Sequence, residues 1–145
     1  MNYKHTQIGY LIIIALIPIL LLYGFTFIEV GLDLVVTGLI AIVVLMISSF
    51  LSLTVVVDNE YLKIKFGYGL FNRRIVLSEI ESVKIVKNHW YYGWGIRVWL
   101  WPKMIIYNVS GYDAVELKMK DGKIVRVGTD DQDMLFNSLN EKLRT

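Results

Sequence analysis

The hydrophobic and polar positions divide this chain into two parts. The first part, residues 8–53, has only two charged side chains, Glu29 and Asp33, whereas charges recur every few positions in the second part. Two charge-free apolar stretches fill the first part, at residues 8–28 and 34–53. About 20 apolar residues are enough for a helix to cross the hydrocarbon core of a bilayer. The pattern therefore predicts two transmembrane helices.

Only five residues, 29–33, separate the two stretches, so the helices are expected to form an antiparallel hairpin. A cleaved signal peptide is the alternative for the first stretch. However, this stretch is long for a signal peptide, no small-residue cleavage site follows it, and a second apolar stretch begins at once. The hairpin is therefore the better prediction.

Basic residues predict the orientation of the hairpin. Lys4 and His5 precede the first stretch, and the connecting loop carries only the two acidic residues. Cytoplasmic segments beside membrane helices are enriched in Lys and Arg. Four basic residues follow the second stretch: Lys63, Lys65, Arg73 and Arg74. The sequence thus predicts a multi-pass protein of the cell membrane, with both termini and the C-terminal domain in the cytoplasm.

The second part, residues 54–145, follows the two-residue period of β-strands. Apolar and charged side chains alternate in residues 61–66 and 114–120. Asp121-Gly122 is typical of a two-residue hairpin turn. Six or seven short strands in about 90 residues favour a small antiparallel barrel or two packed sheets.

The period changes once more near the C-terminus. Thr129 and Gln132 have the spacing of a capping box, and leucines then recur at every fourth position. This pattern predicts an amphipathic helix at about residues 130–143. The predicted fold is an α+β membrane protein. Residues 1–53 form a tail and a two-helix transmembrane hairpin, and a small antiparallel β-barrel or sandwich follows, capped by the C-terminal helix.

Composition limits the chemistry of the chain. It has no cysteine, which excludes disulfides, thiolate nucleophiles and cysteine metal sites, and its two histidines show no zinc spacing. The acidic residues Asp130, Asp131 and Asp133 suit the positive end of a helix dipole better than a metal site. The net charge of +2 is small for a nucleic-acid binder, and uncharged spans argue against a transporter. We predict no enzymatic activity, no cofactor and no metal.

Residues 89–102 contain all four tryptophans. Alternation along a strand at residues 96–101 sorts the side chains into an aliphatic face of Ile96, Val98 and Leu100 and a second face of Arg97, Trp99 and Trp101. The aliphatic face is the better candidate for the core. Because tryptophan prefers the headgroup region, the tip of this hairpin is expected to dip into the bilayer interface or to pack against the transmembrane helices. A protein-binding surface is the alternative.

Five short blocks in the second part carry a family resemblance: GWGIR at 93–97, YNVSG at 107–111, AVEL at 114–117, DG at 121–122 and VGTDD at 127–131. In their order and spacing the chain resembles bacterial membrane proteins with a pleckstrin-homology-like domain, over roughly residues 54–143. The resemblance implies a bent antiparallel barrel closed by a C-terminal helix, with a scaffolding or binding role and no established enzymatic activity. The residues that carry the motif are Gly93, Gly95, Arg97, Asn108, Ser110 and Gly111.

The predicted function is that of a non-enzymatic, membrane-tethered interaction or scaffold module at the cytoplasmic membrane face. Its expected partners are the lipid bilayer and either another protein or a second copy of the chain, with no nucleic acid and no small-molecule substrate. Recognition of anionic lipid headgroups and an accessory role in a transport or pore complex are the alternatives. The candidate lipid or interface residues are Arg73, Arg74, Arg97, Trp99, Trp101 and Lys103.

Overall fold

A computed structural model describes residues 2–145 of the chain as an α+β protein. Within those residues, three α-helices and nine strands follow one another in this order: β1 (Tyr3–Ile8), α1 (Tyr10–Val30), α2 (Leu34–Ser48), β2 (Ser52–Val57), β3 (Tyr61–Phe66), β4 (Asn72–Val76), β5 (Ile80–Lys87), β6 (Gly95–Trp99), β7 (Met104–Asn108), β8 (Asp113–Met119), β9 (Ile124–Gly128) and α3 (Gln132–Arg144). Two short 3-10 turns, Leu77–Glu79 and Trp90–Tyr92, lie on either side of β5.

The strands form two sheets that share one core. The first sheet has the order β1-β2-β3-β4, and the second has the order β5-β8-β9-β7-β6. Among the described strands no closed barrel forms, so the sandwich alternative is the one observed. The expectation of purely antiparallel pairing is wrong for one pair, because β7 runs parallel to β9. This pairing arises because the β6–β7 hairpin joins the sheet beyond β9 instead of pairing with β8.

The alternating strand positions predicted from the sequence fill the core. Leu62, Ile64 and Phe66 of β3 are buried, and so are Val115 and Leu117 of β8. The amphipathic C-terminal helix is also confirmed. Its leucine stripe packs on this core, with the side chains of Leu135 and Leu139 completely buried.

The predicted capping box at the start of α3 does not form. Gln132 Nε2 instead donates hydrogen bonds to the carbonyl oxygens of Val86 and Ala114, at 2.8 and 2.9 Å. These two residues are opposite each other on β5 and β8. Gln132 therefore ties the helix to the second sheet, while Thr129 Oγ1 accepts a hydrogen bond from the backbone N–H of Asp131.

The two apolar stretches form helices of unequal length. None of the residues of α1 is buried, and its 21 residues span about 31 Å, which is long and apolar enough to cross a membrane. A signal sequence near the N-terminus has the same properties. The second stretch is helical only through Ser48, about 22 Å, because Ser52 and Leu53 already belong to β2. The helices contact each other through a 2.9 Å hydrogen bond between Tyr23 and Thr37.

Both ends of the helix pair lead into the same sheet. Strand β1 precedes α1 and pairs antiparallel with β2, which follows α2, so that Ile8 is opposite Ser52. The loop between the helices lies at their far end, where the carboxylate of Asp33 accepts hydrogen bonds from the backbone N–H groups of Val35 and Val36. The N-terminal tail, to which the sequence assigned no element, is thus an edge strand of the sheet domain.

Candidate interaction groove

The aromatic run before β6 crosses the outer face of the second sheet. This crossing is a consequence of strand order, because β5 and β6 lie at opposite edges of that sheet. Within the run, the Tyr92 ring lies 5.5 Å from the Arg126 guanidinium carbon and 5.2 Å from the Trp99 ring. His89 and Tyr91 stack with their centroids 5.0 Å apart. Tyr91 and Tyr92 therefore cover part of this sheet face, whereas Trp90 is 74% exposed.

A buried ion pair lies beneath this cover. Arg126 Nε donates a 2.7 Å hydrogen bond to Glu116, and Lys84 Nζ lies 3.0 Å from the other carboxylate oxygen. Burial raises the pKa of Glu116, but the hydrogen bonds from Lys84 and Arg126 outweigh it and hold the pKa below its ordinary value. Glu116 is thus held as an ionised structural partner of the two cations.

The aliphatic face of β6 is exposed, contrary to the sequence prediction. Ile96, Val98 and Leu100 were expected in the core, but their exposed fractions are 37%, 67% and 80%. Trp99 is half-buried against Tyr91 and Tyr92. The reason is that β6 is an edge strand whose inner face extends past β4, where the first sheet ends. The core assignment of these three aliphatic residues was wrong.

A groove with a volume of about 580 Å³ opens between β4 and the β6–β7 hairpin. Its apolar lining includes Val98, Leu100 and Ile105, which continue the inner face of the second sheet beyond the core. The groove brings together four of the six candidate interface residues, which are far apart in the sequence: Arg73, Arg74, Trp99 and Lys103. The other two lie outside it, since Arg97 is on the outer face and Trp101 is 92% exposed at the hairpin tip.

The electrostatic balance of the groove is basic. Arg73, Arg74 and Lys103 have no carboxylate within 4.0 Å among residues 2–145, whereas Lys123 is paired with Asp121 at 3.0 Å. Glu79 is the one further acidic residue of the lining. The groove therefore combines three free cations with an uncovered apolar surface.

Tyr107 lies at the inner wall of the groove, where burial raises its pKa although the nearby charge of Arg73 lowers it. The raised pKa keeps the phenol protonated at neutral pH. Tyr107, Ile105 and Leu100 were not predicted from the sequence as groove residues. The missed signal was an apolar strand face that continues into an exposed hairpin tip.

The tip of the β6–β7 hairpin lies at the end of the domain away from the helices. Gly95, the first residue of β6, is beside the Phe50 ring that follows α2, 4.0 Å from the position a Cβ would take. Ile96 lines a pocket with Phe71, which precedes β4, whereas Leu100 lines the groove with Glu79 beyond the end of β4. The expectation that Trp99 and Trp101 pack against the helix pair is therefore wrong.

Residues of the YNVSG block at the β7–β8 turn have a local structural role. Asn108 Oδ1 accepts a hydrogen bond from the backbone N–H of Ser110 at 3.3 Å, and Asn108 Nδ2 donates one to the carbonyl oxygen of Gly111 at 3.0 Å. Gly111 has a positive φ of 68°, a conformation that favours glycine. A Cβ at Gly128 would overlap the Asn108 amide, so this glycine leaves room for the turn.

The glycines at the entry to β6, Gly93 and Gly95, are explained in a similar way. Arg97 Nε donates a 3.2 Å hydrogen bond to the Trp94 carbonyl oxygen. Its guanidinium lies over Gly93, 3.3 Å from the position of a Cβ, and Gly93 and Gly95 both have positive φ. Arg97 thus closes the turn that directs the chain into β6. None of the six motif residues lines the groove.

No protein-family model, curated protein or solved structure matches this chain. Between residues 2 and 145, no group of three or more His, Asp or Glu side chains is arranged to hold a metal ion. The class of protein is therefore defined by the geometry alone. It is an α+β chain with an apolar N-terminal helix that is long enough to span a membrane and a two-sheet domain with a basic, partly apolar groove.

Proposed function

We propose that this chain is a non-enzymatic, membrane-tethered interaction module whose groove binds an extended segment of a protein partner. In this proposal α1 and α2 cross the cell membrane as a hairpin and hold a pleckstrin-homology-like domain at its cytoplasmic face. The observation that carries the proposal is the groove between β4 and β6–β7, where free cations and uncovered apolar side chains come together.

Two features support the membrane anchor. Large apolar side chains are exposed along both helices, a surface that is costly in water and favourable in lipid. Because β1 pairs with β2, both ends of the pair start from one sheet, as in a hairpin that enters and leaves a membrane from the same side. The shorter α2 is accommodated by local thinning of the bilayer, which costs only fractions of a kcal/mol per Å.

The fold supports the resemblance to pleckstrin-homology-like domains only in outline. Two packed sheets of short strands are covered on one side by a C-terminal helix. The parallel β7–β9 pair departs from the implied all-antiparallel barrel. The binding role that the resemblance implies agrees with the presence of the groove.

The groove fits an extended segment that alternates apolar and acidic side chains. Strands β4 and β6 are both sheet edges, and an edge strand directs a row of backbone N–H and C=O groups away from its sheet. An extended peptide that pairs with β6 places every second side chain on Val98 and Leu100. Acidic side chains of the same segment then reach Arg74 and Lys103, forming charge-assisted hydrogen bonds.

A peptide-display selection tests this function. The full chain in lipid nanodiscs is offered a library of random peptides, beside an Arg74→Glu/Lys103→Glu variant. Lys87→Glu/Arg144→Glu makes the same change in net charge away from the groove and serves as the matched control. We expect enriched peptides that alternate apolar and acidic residues, retained by the control and lost by the groove variant. Enrichment of basic peptides, or identical enrichment on all three proteins, would refute the proposal.

A further inference from the structure

The β3–β4 turn, residues 67–71, exposes apolar side chains at the end of the domain that faces the helices. Tyr68 is 64% exposed and Leu70 is 71% exposed, and the turn itself contains no charged residue. Tyr68 and Leu70 do not line the groove, so the proposed protein binding does not explain their exposure. Arg73, which follows the turn, borders both surfaces.

The turn rests directly on the end of α2. Tyr68 Oη donates a 2.9 Å hydrogen bond to the Oγ of Ser48, the last residue of that helix. The backbone N–H of Gly67 donates to the Ser52 carbonyl oxygen at 2.9 Å, and a Cβ on Gly67 would overlap the carbonyl oxygen of Ser49. These contacts fix the turn at the level where the helix ends.

Aromatic packing holds the other end of the turn. The rings of Phe71 and Phe50 stack with centroids 4.9 Å apart and an interplanar angle of 21°. Phe50 in turn packs edge-on against the core residue Phe66 at 5.2 Å. The exposed Tyr68 and Leu70 are therefore carried on a turn that is anchored at both ends.

Two cations flank the turn. The Lys65 side chain lies across Gly69, so that a Cβ there would meet Lys65 Cε at 2.7 Å. Lys65 and Arg73 line one shallow pocket together with Tyr68, and neither has a carboxylate within 4.0 Å in the described part of the chain. A tyrosine and a leucine framed by lysine and arginine match the chemistry of the bilayer interface, where aromatic rings and basic side chains meet lipid phosphates.

We infer that residues 67–71 insert into the interfacial layer of the same bilayer that α1 and α2 cross, with Lys65 and Arg73 on the lipid phosphates. This inference rests on the proposed membrane anchor. It assigns to the β3–β4 turn the membrane contact that the sequence predicted for the tryptophan hairpin. It also explains how the short α2 ends, because the turn covers Ser48 and Ser49 at the level of the headgroups. The domain is then held on the membrane in one orientation, with the groove directed away from it.

Single-cysteine spin labels test the inference, since the natural chain has no cysteine to interfere. Leu70→Cys, Leu100→Cys and Leu21→Cys each carry a nitroxide in the full chain, reconstituted in nanodiscs that contain anionic phosphatidylglycerol. All three positions are largely exposed, so the labels do not disturb the core. Collisions with oxygen, which concentrates in lipid, are compared with collisions with a water-soluble nickel chelate.

We expect the Leu70 label to collide several-fold less with the chelate than the Leu100 label does. We also expect Lys65→Glu/Arg73→Glu to reduce this protection more in anionic than in purely zwitterionic nanodiscs. If the Leu70 and Leu100 labels are equally accessible while the Leu21 label is buried in lipid, the inference is overturned and the anchor stands. If the Leu21 label is itself in water, the proposed anchor fails.

Discussion

Replacing Arg126 by methionine isolates the energetic role of the ion pair under the aromatic crossover. The Glu116 side chain is 7% exposed and that of Arg126 is 16% exposed, so neither charge is well hydrated. Losing one partner of a buried pair costs about 3–5 kcal/mol, and a single hydrogen bond to a charged group contributes about 1.5–3 kcal/mol. Because Lys84 still contacts Glu116, we expect Arg126→Met to lower the free energy of unfolding by about 2–3 kcal/mol.

Urea unfolding of the full chain in a mild detergent, followed by tryptophan fluorescence, measures this loss. All four tryptophans lie between residues 90 and 101, so the signal reports on the sheet domain and not on the helices. Lys118→Met is the matched control, since it removes a half-exposed 3.0 Å pair with Glu81. This pair is expected to contribute less than about 1 kcal/mol.

The loss of unfolding free energy in Arg126→Met depends on pH, and the pKa of Glu116 sets the direction of this dependence. In the wild type the pKa of Glu116 is held below the ordinary value of 4.5, so its stabilising effect is present above that pH and is lost as the pH falls through the lowered pKa. In Arg126→Met the pKa of Glu116 rises, and acid neutralises the poorly compensated carboxylate. The difference in free energy of unfolding between the wild type and Arg126→Met should therefore become smaller as the pH is lowered from 7 to 4. An equal deficit at both pH values, or one no larger than that of Lys118→Met, would refute this reasoning.

Four further predictions are measured by the same urea titration. Leu139→Ala removes a completely buried side chain and should cost about 3 kcal/mol. Gly128→Ala places a Cβ against the Asn108 amide and should cost about 1–3 kcal/mol, and an unchanged stability would contradict the role of Asn108 in the turn. Trp99→Ala should lower the free energy of unfolding by about 2 kcal/mol, because the ring packs on two tyrosines. This is roughly half of the loss expected for a tryptophan in a core, since Trp99 is only half-buried. Trp101→Ser should change stability by less than about 0.5 kcal/mol, and a larger loss would place the Trp101 ring in a packed site.

The sequence predicts those parts of the fold in which periodicity and burial coincide. In strand β3 apolar and polar side chains alternate because one face of the strand packs on the core. In α3 leucine recurs at every fourth position because one side of the helix packs on the same core. Strand β1 was not predicted, because its buried face is not uniformly apolar. Its inner face carries Gln7, whose amide donates to the Ser110 carbonyl oxygen at 3.0 Å, so that an apolar alternation is absent.

Individual residues of the groove could be predicted from the sequence, but their meeting in one groove could not. Alternation separates the two faces of β6, but it does not say which face another layer covers, and at Val98 that depends on where the first sheet ends. Arg74 and Lys103 are almost 30 positions apart and meet only because β4 and the β6–β7 hairpin border the same opening. Long-range strand order of this kind is not encoded in a local period. The basic character of both positions was nevertheless visible in the sequence.

The same topology separates the two proposed surfaces of the domain. Strands β2, β3 and β4 begin or end beside the helices, whereas the β6–β7 tip lies at the far end. A membrane contact at residues 67–71 and a protein-binding groove near Leu100 therefore do not compete. In the proposed arrangement, a partner would reach the groove from the solvent while the domain stays on the bilayer.

The most direct test of the central claim is the affinity of the groove for a defined peptide. A fluorescent ten-residue peptide that alternates valine and glutamate is titrated with the full chain in nanodiscs, and its anisotropy is measured. Two charge-assisted hydrogen bonds at about 1.5–3 kcal/mol each predict that Arg74→Glu/Lys103→Glu weakens binding by more than about tenfold. The Lys87→Glu/Arg144→Glu control should bind as the wild type does. Equal affinity for all three proteins, or no binding by the wild type, would contradict the account.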